Sequence, residues 1–228
     1  NGVISMTTRS PFVKPGLELE FKTAERDLLQ GAIRWAQVFK NKAGEDKFGY
    51  KLNAFYMQAN DWVADNLSAT PQSRNAENNP GGYDAVNRYG DEYNTTNDAS
   101  AIATLRPGLG IWYRTGYEEK DVVDYSTHNL KLNAALHYKL TKKVEVILSS
   151  NFGNGTTVYQ GDNRYSLKDI YFYQQRIEVR QEDKFFIRAY TTNEDAGNSY
   201  DAFVTALLLQ NAAKSDNRWA QDYSNRWN

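Results

Sequence analysis

The chain has 228 residues, with 27 basic against 28 acidic side chains, so it lacks the cationic surplus of a nucleic-acid binder. It contains no Cys and only two His, which excludes a disulfide scaffold, a thiol nucleophile and Cys-ligated zinc, and argues against His-based catalysis or a multi-His metal site. No apolar run approaches the ~20 residues of a membrane-spanning helix, yet aromatic residues make up 14% of the chain, with sixteen Tyr, ten Phe and five Trp.

No basic and apolar leader opens the chain, and its last residues lie inside a polar, aromatic-rich stretch. Both ends read as those of a piece of something longer. Between them the dominant pattern has period two. Leu17, Leu19 and Phe21 alternate with Glu18, Glu20 and Lys22. Ile33 and Trp35 flank Arg34 in a less regular run from Gly31 to Lys40. Tyr50, Leu52, Ala54 and Tyr56 alternate with Lys51 and Asn53.

The cleanest run lies between His128 and Leu140. Leu130, Leu132, Ala134, Leu136, Tyr138 and Leu140 share one face; Asn129, Lys131, Asn133, His137 and Lys139, with Ala135 among them, share the other. Successive strand side chains point to opposite faces, so this strand has one apolar and one polar side. Val144, Val146 and Leu148 follow after a Thr141-Lys142-Lys143 turn, which makes a hairpin. Tyr171, Tyr173, Ile177 and Val179 then alternate with Gln174, Arg176, Glu178 and Arg180, and Phe185, Ile187 and Ala189 with Arg188 and Tyr190.

The connections add a second regularity. Short links are expected at residues 43–47, 141–143 and 181–184, and long ones at 60–127, 153–168 and from 193 onward. Tight turns at one end and long loops at the other organise outer-membrane barrels. A soluble β-sandwich alternates as well, with its apolar face turned inward. Periodicity leaves open whether that face meets lipid or another sheet; strands of about 10–13 residues favour the membrane, since soluble strands average nearer 5–6.

The amino-terminal run Asn1-Gly2-Val3-Ile4-Ser5-Met6-Thr7-Thr8-Arg9-Ser10-Pro11 resembles the stretch that ends the plug domain of TonB-dependent outer-membrane receptors. The likeness is to Bacteroidetes-type receptors. It is carried further by Asn79-Pro80-Gly81-Gly82-Tyr83-Asp84 with Asn87-Arg88-Tyr89-Gly90-Asp91-Glu92, by Tyr159-Gln160-Gly161-Asp162-Asn163-Arg164-Tyr165, and by Gly197-Asn198-Ser199-Tyr200-Asp201-Ala202. The resemblance implies an all-β fold: an antiparallel transmembrane β-barrel segment, seven strands of a plugged barrel of about 22. Residues 1–14 would be the end of the plug and its linker, and residues 15–228 the amino-terminal part of the barrel with long extracellular loops. Glu18, Glu20, Lys22, Arg34, Lys51, Lys131, Arg176, Glu178 and Arg180 would face the lumen, paired, solvated or holding the plug.

The connection at 60–127 is too long for a passive turn and too aromatic for a disordered one. It carries Trp62, Tyr83, Tyr89, Trp112 and Tyr113, with turns at Pro80-Gly81-Gly82 and Pro107-Gly108. A helix is expected from Ser199 to Lys214, capped by Asn198 or Ser199, with Phe203, Ala206, Leu207 and Gln210 on one face. A second helical piece sets Trp219, Tyr223 and Trp227 in a stripe. These loop aromatics are the candidates for contact with substrate or an extracellular partner; packing is the plainer role. The acidic runs Glu118-Glu119-Lys120-Asp121 with Asp124, and Glu194-Asp195, lack the pattern of an EF-hand. Gly108-Leu109-Gly110 and Gly153-Asn154-Gly155 lack the context of phosphate loops and read as turns.

The expectation is therefore a TonB-dependent transporter of the bacterial outer membrane that imports a scarce solute and performs no chemistry on it. No metal or cofactor is expected. The implied partners are TonB, reached through parts preceding this chain, outer-membrane lipid, and a surface lipoprotein or larger envelope complex. A soluble all-β carbohydrate-binding or adhesive domain is the alternative. A two-carboxylate glycan hydrolase and a small passive porin are further rivals.

Overall fold

The computed structural model describes residues 8–74, 76–78, 83–90, 97–102, 104–105, 109–161 and 163–227, the side chains of Ile102 and Trp227 excepted. Residues 1–7 of the plug-exit run, 79–82, 91–96, 107–108 and 162 lie outside the described residues. In chain order the elements begin with β1 (Gly16–Ala24), β2 (Leu28–Lys40) and β3 (Asp46–Asn60). Short pieces follow: β4 (Arg88–Tyr89), β5 (Asn97–Asp98), a 3-10 turn (Ser100–Ile102), β6 (Ile111–Trp112), β7 (Tyr117–Glu118) and α1 (Glu119–Val122). Then come β8 (Ser126–Lys139), β9 (Val144–Gln160), β10 (Arg164–Gln181) and β11 (Phe185–Asp195), and finally β12 (Tyr200–Asp201), α2 (Ala202–Ala213) and α3 (Asp216–Trp227).

Antiparallel pairing joins the long strands in the order β1-β2-β3-β8-β9-β10-β11, with β12 beside β10. The sheet does not close: among the described residues β1 and β11 are its two edges. The chain forms two compact units. Unit 1 is Asn1–Asp61, Ser126–Thr157 and Leu167–Ser199; unit 2 is Trp62–Tyr125, Val158–Ser166 and Tyr200–Asn228.

Unit 1 holds the seven long strands that the alternation marks, apart from the end of β9 and the start of β10, which belong to unit 2. At the β1–β2 turn Arg26 and Asp27 both take left-handed φ, 63° and 56°, the backbone that matches the twist of a tight hairpin. The last residue of β3 secures it: Arg26 Nε donates to the Asn60 carbonyl at 2.8 Å, and Asn60 Nδ2 donates to Asp27 at 2.7 Å. One expected connection is corrected. Residues 153–168 are not a long loop, and Gly153-Asn154-Gly155 is not a turn; β9 runs through them to Gln160 and β10 starts at Arg164. Pairing with β8 continues unbroken across both glycines, Lys131 facing Gly153 and Asn129 facing Gly155. The ladder supplies the hydrogen bonds that hold a weak local strand former in line.

In unit 2 the short strands pair two by two, β4 with β7 and β5 with β6, so the long excursion after β3 is folded. Its apolar centre is Ala99, Leu109, Trp112 and Ala220, with Trp219 against it. The first helix of the carboxyl-terminal part begins later than expected. Asp201, not Asn198 or Ser199, caps α2, its side chain accepting from Val204 N at 3.1 Å. Ser199 is used in unit 1, where its Oγ accepts from Lys168 N at 3.0 Å. At the other end Arg114 donates to the carbonyls of Gln210 and Lys214, at 3.1 and 2.6 Å, and pairs with Asp216 at 2.8 Å. It thereby satisfies the open carbonyls of α2 and ties in α3.

Candidate functional site

The two faces of the unit 1 sheet differ sharply, the apolar one exposed and the polar one covered. Leu17, Leu19, Phe21, Ile33, Trp35, Leu52, Leu132, Leu136, Leu148, Ile177 and Ile187 are all exposed, Leu132 by 43% and Leu19 by 71%. The other face carries the burial, and it is largely polar: Lys51 is 2% exposed, His137 3% and Glu178 3%, with Ser149 also buried. Aromatic rings gather near the turn end of the apolar face. Trp35 meets Tyr50 edge-on with centroids 5.3 Å apart, and Phe39 lies against Phe48 and Tyr50.

An amide ladder crosses the polar face from strand to strand. Asn53 donates to Asn133 and Asn133 to Asn151, both at 2.6 Å; Asn151 donates to Gln174 and Gln174 to Thr192, both at 3.3 Å. The first three residues share one rung of the register, and Gln174 and Thr192 face each other on theirs. Each side chain thus answers its neighbour's donor or acceptor, which makes the burial of amides tolerable.

Beside the ladder lies a recess of about 1310 Å³. Its lining includes Glu18 at one edge of the sheet and Glu194 and Asp195 at the other. Laid flat, six strand spacings would separate those edges by about 29 Å. The sheet therefore curls, with its polar face inside the curl.

Charged groups below the ladder are paired. Glu178 accepts from Arg188 Nε at 2.6 Å and has Arg176 and Arg180 at 3.8 and 3.9 Å. Arg180 reaches Glu145 at 2.9 Å, and Glu145 meets His137 Nδ1 at 2.7 Å. Near β1, Glu18 pairs with Lys14 and has Arg34 at 3.9 Å, while Glu20 meets Lys22 at 2.6 Å. Lys131 lies over the Phe55 ring at 5.4 Å.

Residues 8–14 run across this polar face as a strap. The Lys51 ammonium donates to Thr8 Oγ1 at 2.9 Å and to the Arg9 carbonyl at 3.1 Å. Pro11 is fully buried over Gly49, where an added Cβ would stand 3.0 Å from the Pro11 ring. Phe12 meets His137 edge-on at 6.2 Å and lies under the Lys139 ammonium at 4.2 Å. Arg34 closes the strap by donating to the Lys14 carbonyl at 2.7 Å.

The chain matches no family model, no curated protein and no solved structure.

The aromatic candidates all belong to unit 2 and have different surroundings. Trp62 is exposed. Tyr83 is buried, donates to the Leu67 carbonyl at 2.7 Å and lies beneath Arg88. Tyr113 is fully buried. Trp112 stacks on Trp219 at 4.6 Å and Trp219 on Tyr223 at 5.4 Å, so the stripe joins α3 to the loop centre. The Trp227 side chain lies outside the described residues. Beside Trp219 and Tyr223 is a recess of about 650 Å³, bordered by Lys214, Asp222, Asn225 and Arg226.

Glu119, one of the acidic run that the sequence marks, is the hub of unit 2. Its carboxylate is fully buried and accepts from Tyr89 at 2.6 Å, Tyr125 at 2.8 Å and Arg164 at 3.0 and 3.1 Å. Burial first, then the hydrogen bond to Glu119, pushes both phenols well above the ordinary tyrosine range. No local signal separates Glu119 from Glu118, which pairs with Lys120 at 2.5 Å on the surface. Among the described residues no group of three His, Cys, Asp or Glu could hold a metal ion.

Proposed function

We propose that this chain is a wall segment of a TonB-dependent transporter of the bacterial outer membrane, with the end of its plug attached. The observation that carries the reading is the inverted partition of the unit 1 sheet: apolar and exposed on the outside of the curl, polar and paired within. A soluble sandwich needs the reverse. Lipid would cover the exposed Leu, Ile and aromatic side chains, and β2, β3, β8, β9, β10 and β11, at 11 to 18 residues, meet or exceed the 9–11 residues a tilted strand needs to cross. The lumen of such a barrel is polar, as the amide ladder and the ion pairs require.

The strap supports the second half of the reading. A chain passing from plug to wall must leave the lumen along its polar face, and residues 8–14 lie there. Import in this scheme is a binding and gating process: solute held at loops and plug, TonB pulling on the plug, no bond made or broken. Unit 2 would supply loop surface outside the membrane, where a surface lipoprotein would dock.

Trp35 provides the test, because the other four Trp, at 62, 112, 219 and 227, are all in unit 2. In proteoliposomes containing lipids brominated along their chains, Trp35 fluorescence should be quenched, and Trp35→Phe should abolish most of that quenching. A protein that stays monomeric in water without detergent and shows no quenching would sink the reading and favour the soluble carbohydrate-binding alternative.

A further inference from the structure

We infer that residues 8–14 are a fixed anchor, locked by Lys51, and that movement of the chain preceding Thr8 stops there. The inference concerns the polar face alone and does not depend on what the apolar face meets. Three contacts set it apart from a loosely lying segment. Lys51 is almost wholly buried, and two of its three donors go to strap atoms, Thr8 Oγ1 and the Arg9 carbonyl. A buried ammonium needs such acceptors, so Lys51 stays buried only while the strap supplies them. Pro11 fills the space that Gly49 leaves in β3; the fit is close on both sides, since a Cβ at 49 would also meet the Gln37 carbonyl at 3.2 Å.

The strap also holds its own shape. Ser10 turns the chain: its carbonyl accepts from Val13 N and Lys14 N at 3.2 Å each, and its Oγ from Phe12 N at 3.2 Å. Phe12 is then fixed between His137 and Lys139. Pulling on the chain before Thr8 must therefore break the Lys51 bonds first, then lift a preformed turn with a buried proline. The lock precedes the load, and force along the chain is resisted at β3 before it can reach β1.

The absence of native Cys gives a clean test in the full chain, kept in detergent. Pro11→Cys places a thiol in the buried position, and its reaction with a soluble maleimide should be slow. Lys51→Met should speed that reaction at least about tenfold, the scale set by losing charge-assisted hydrogen bonds, while Lys51→Arg restores much of the protection. Lys131→Met, which removes a polar-face charge that does not touch the strap, should leave the rate unchanged. In the unsubstituted protein, hydrogen exchange at Phe12, Val13 and Lys14 should be slow and should accelerate with Lys51→Met. Equal thiol reactivity with and without Lys51, or fast exchange at those three amides in the unsubstituted protein, would overturn the anchor. The bromolipid result would stand either way, so failure here and failure of the transporter reading are told apart.

Discussion

Glu119 shows how one side chain can organise a loop that has little apolar core. Its carboxylate gathers Tyr89, Tyr125 and Arg164, which come from three separated stretches of the chain. Glu119→Ala would leave the Arg164 guanidinium without its partner, a loss of about 3–5 kcal/mol; near-ultraviolet circular dichroism during urea unfolding should register it in the aromatic signal. The phenols add a pH dependence. Their pKa values lie above the unfolded value of 10.0, so the native state keeps protons that the unfolded chain releases. Stability from this source is complete below pH 10 and falls as pH rises beyond it. An ultraviolet titration should find these two tyrosines ionising late, above the ordinary tyrosine range, together with loss of unit 2 structure. Glu119→Gln should remove part of the delay.

Elements were legible where burial follows a period. The alternation at Leu17–Phe21, Tyr50–Tyr56, Leu130–Leu140 and Tyr171–Val179 identifies four strands and correctly assigns their faces, because in a sheet position alone decides the side. β9 was half legible: beyond Phe152 its glycines interrupt the pattern, and only pairing with β8 shows that the strand continues. The start of α2 was misplaced for a similar reason. Asn198, Ser199 and Asp201 are all competent caps, and tertiary contacts gave Ser199 a different duty. Asp201→Ala should therefore destabilise α2 by about 1 kcal/mol, read by hydrogen exchange along residues 202–206, whereas Asn198→Ala should leave those amides unaffected. Gly197 is stricter. Its φ is +59°, and a Cβ there would stand 2.4 Å from the Asp169 carbonyl, so Gly197→Ala should disturb the end of β11. The strap and the Glu119 hub were hidden because Lys51 lies 43 residues from Thr8, and Tyr89 and Arg164 lie 30 and 45 residues from Glu119, separations for which a single sequence has no code.

For the whole molecule, the decisive property is which face meets water. Leu132 and Asn133 are adjacent in β8 and point to opposite sides. In lipid, Leu132→Arg should cost about 2–4 kcal/mol, measured by urea titration of the liposome-embedded protein. Asn133→Leu should break the amide ladder, leaving Asn53 without its acceptor and the Asn151 oxygen without its donor. Both substitutions destabilise, but only the first should respond to bilayer thickness, since only its side chain would lie among acyl chains. Equal effects in thick and thin bilayers would argue against lipid on that face.

Asn60 and Ser126 stand opposite each other on the outermost rung of the β3–β8 ladder. To the sheet, then, everything from residue 61 to residue 125 is a hairpin connection that happens to be long. Its ends are held one rung apart whatever it contains. The content of the excursion is tied elsewhere, Glu119 to Arg164, Trp112 to Trp219 and Arg114 to the end of α2, while the β3–β8 register is set by the ladder. The register of the two strands and the fold of the excursion are therefore fixed by different contacts, the first by the ladder and the second by partners within unit 2.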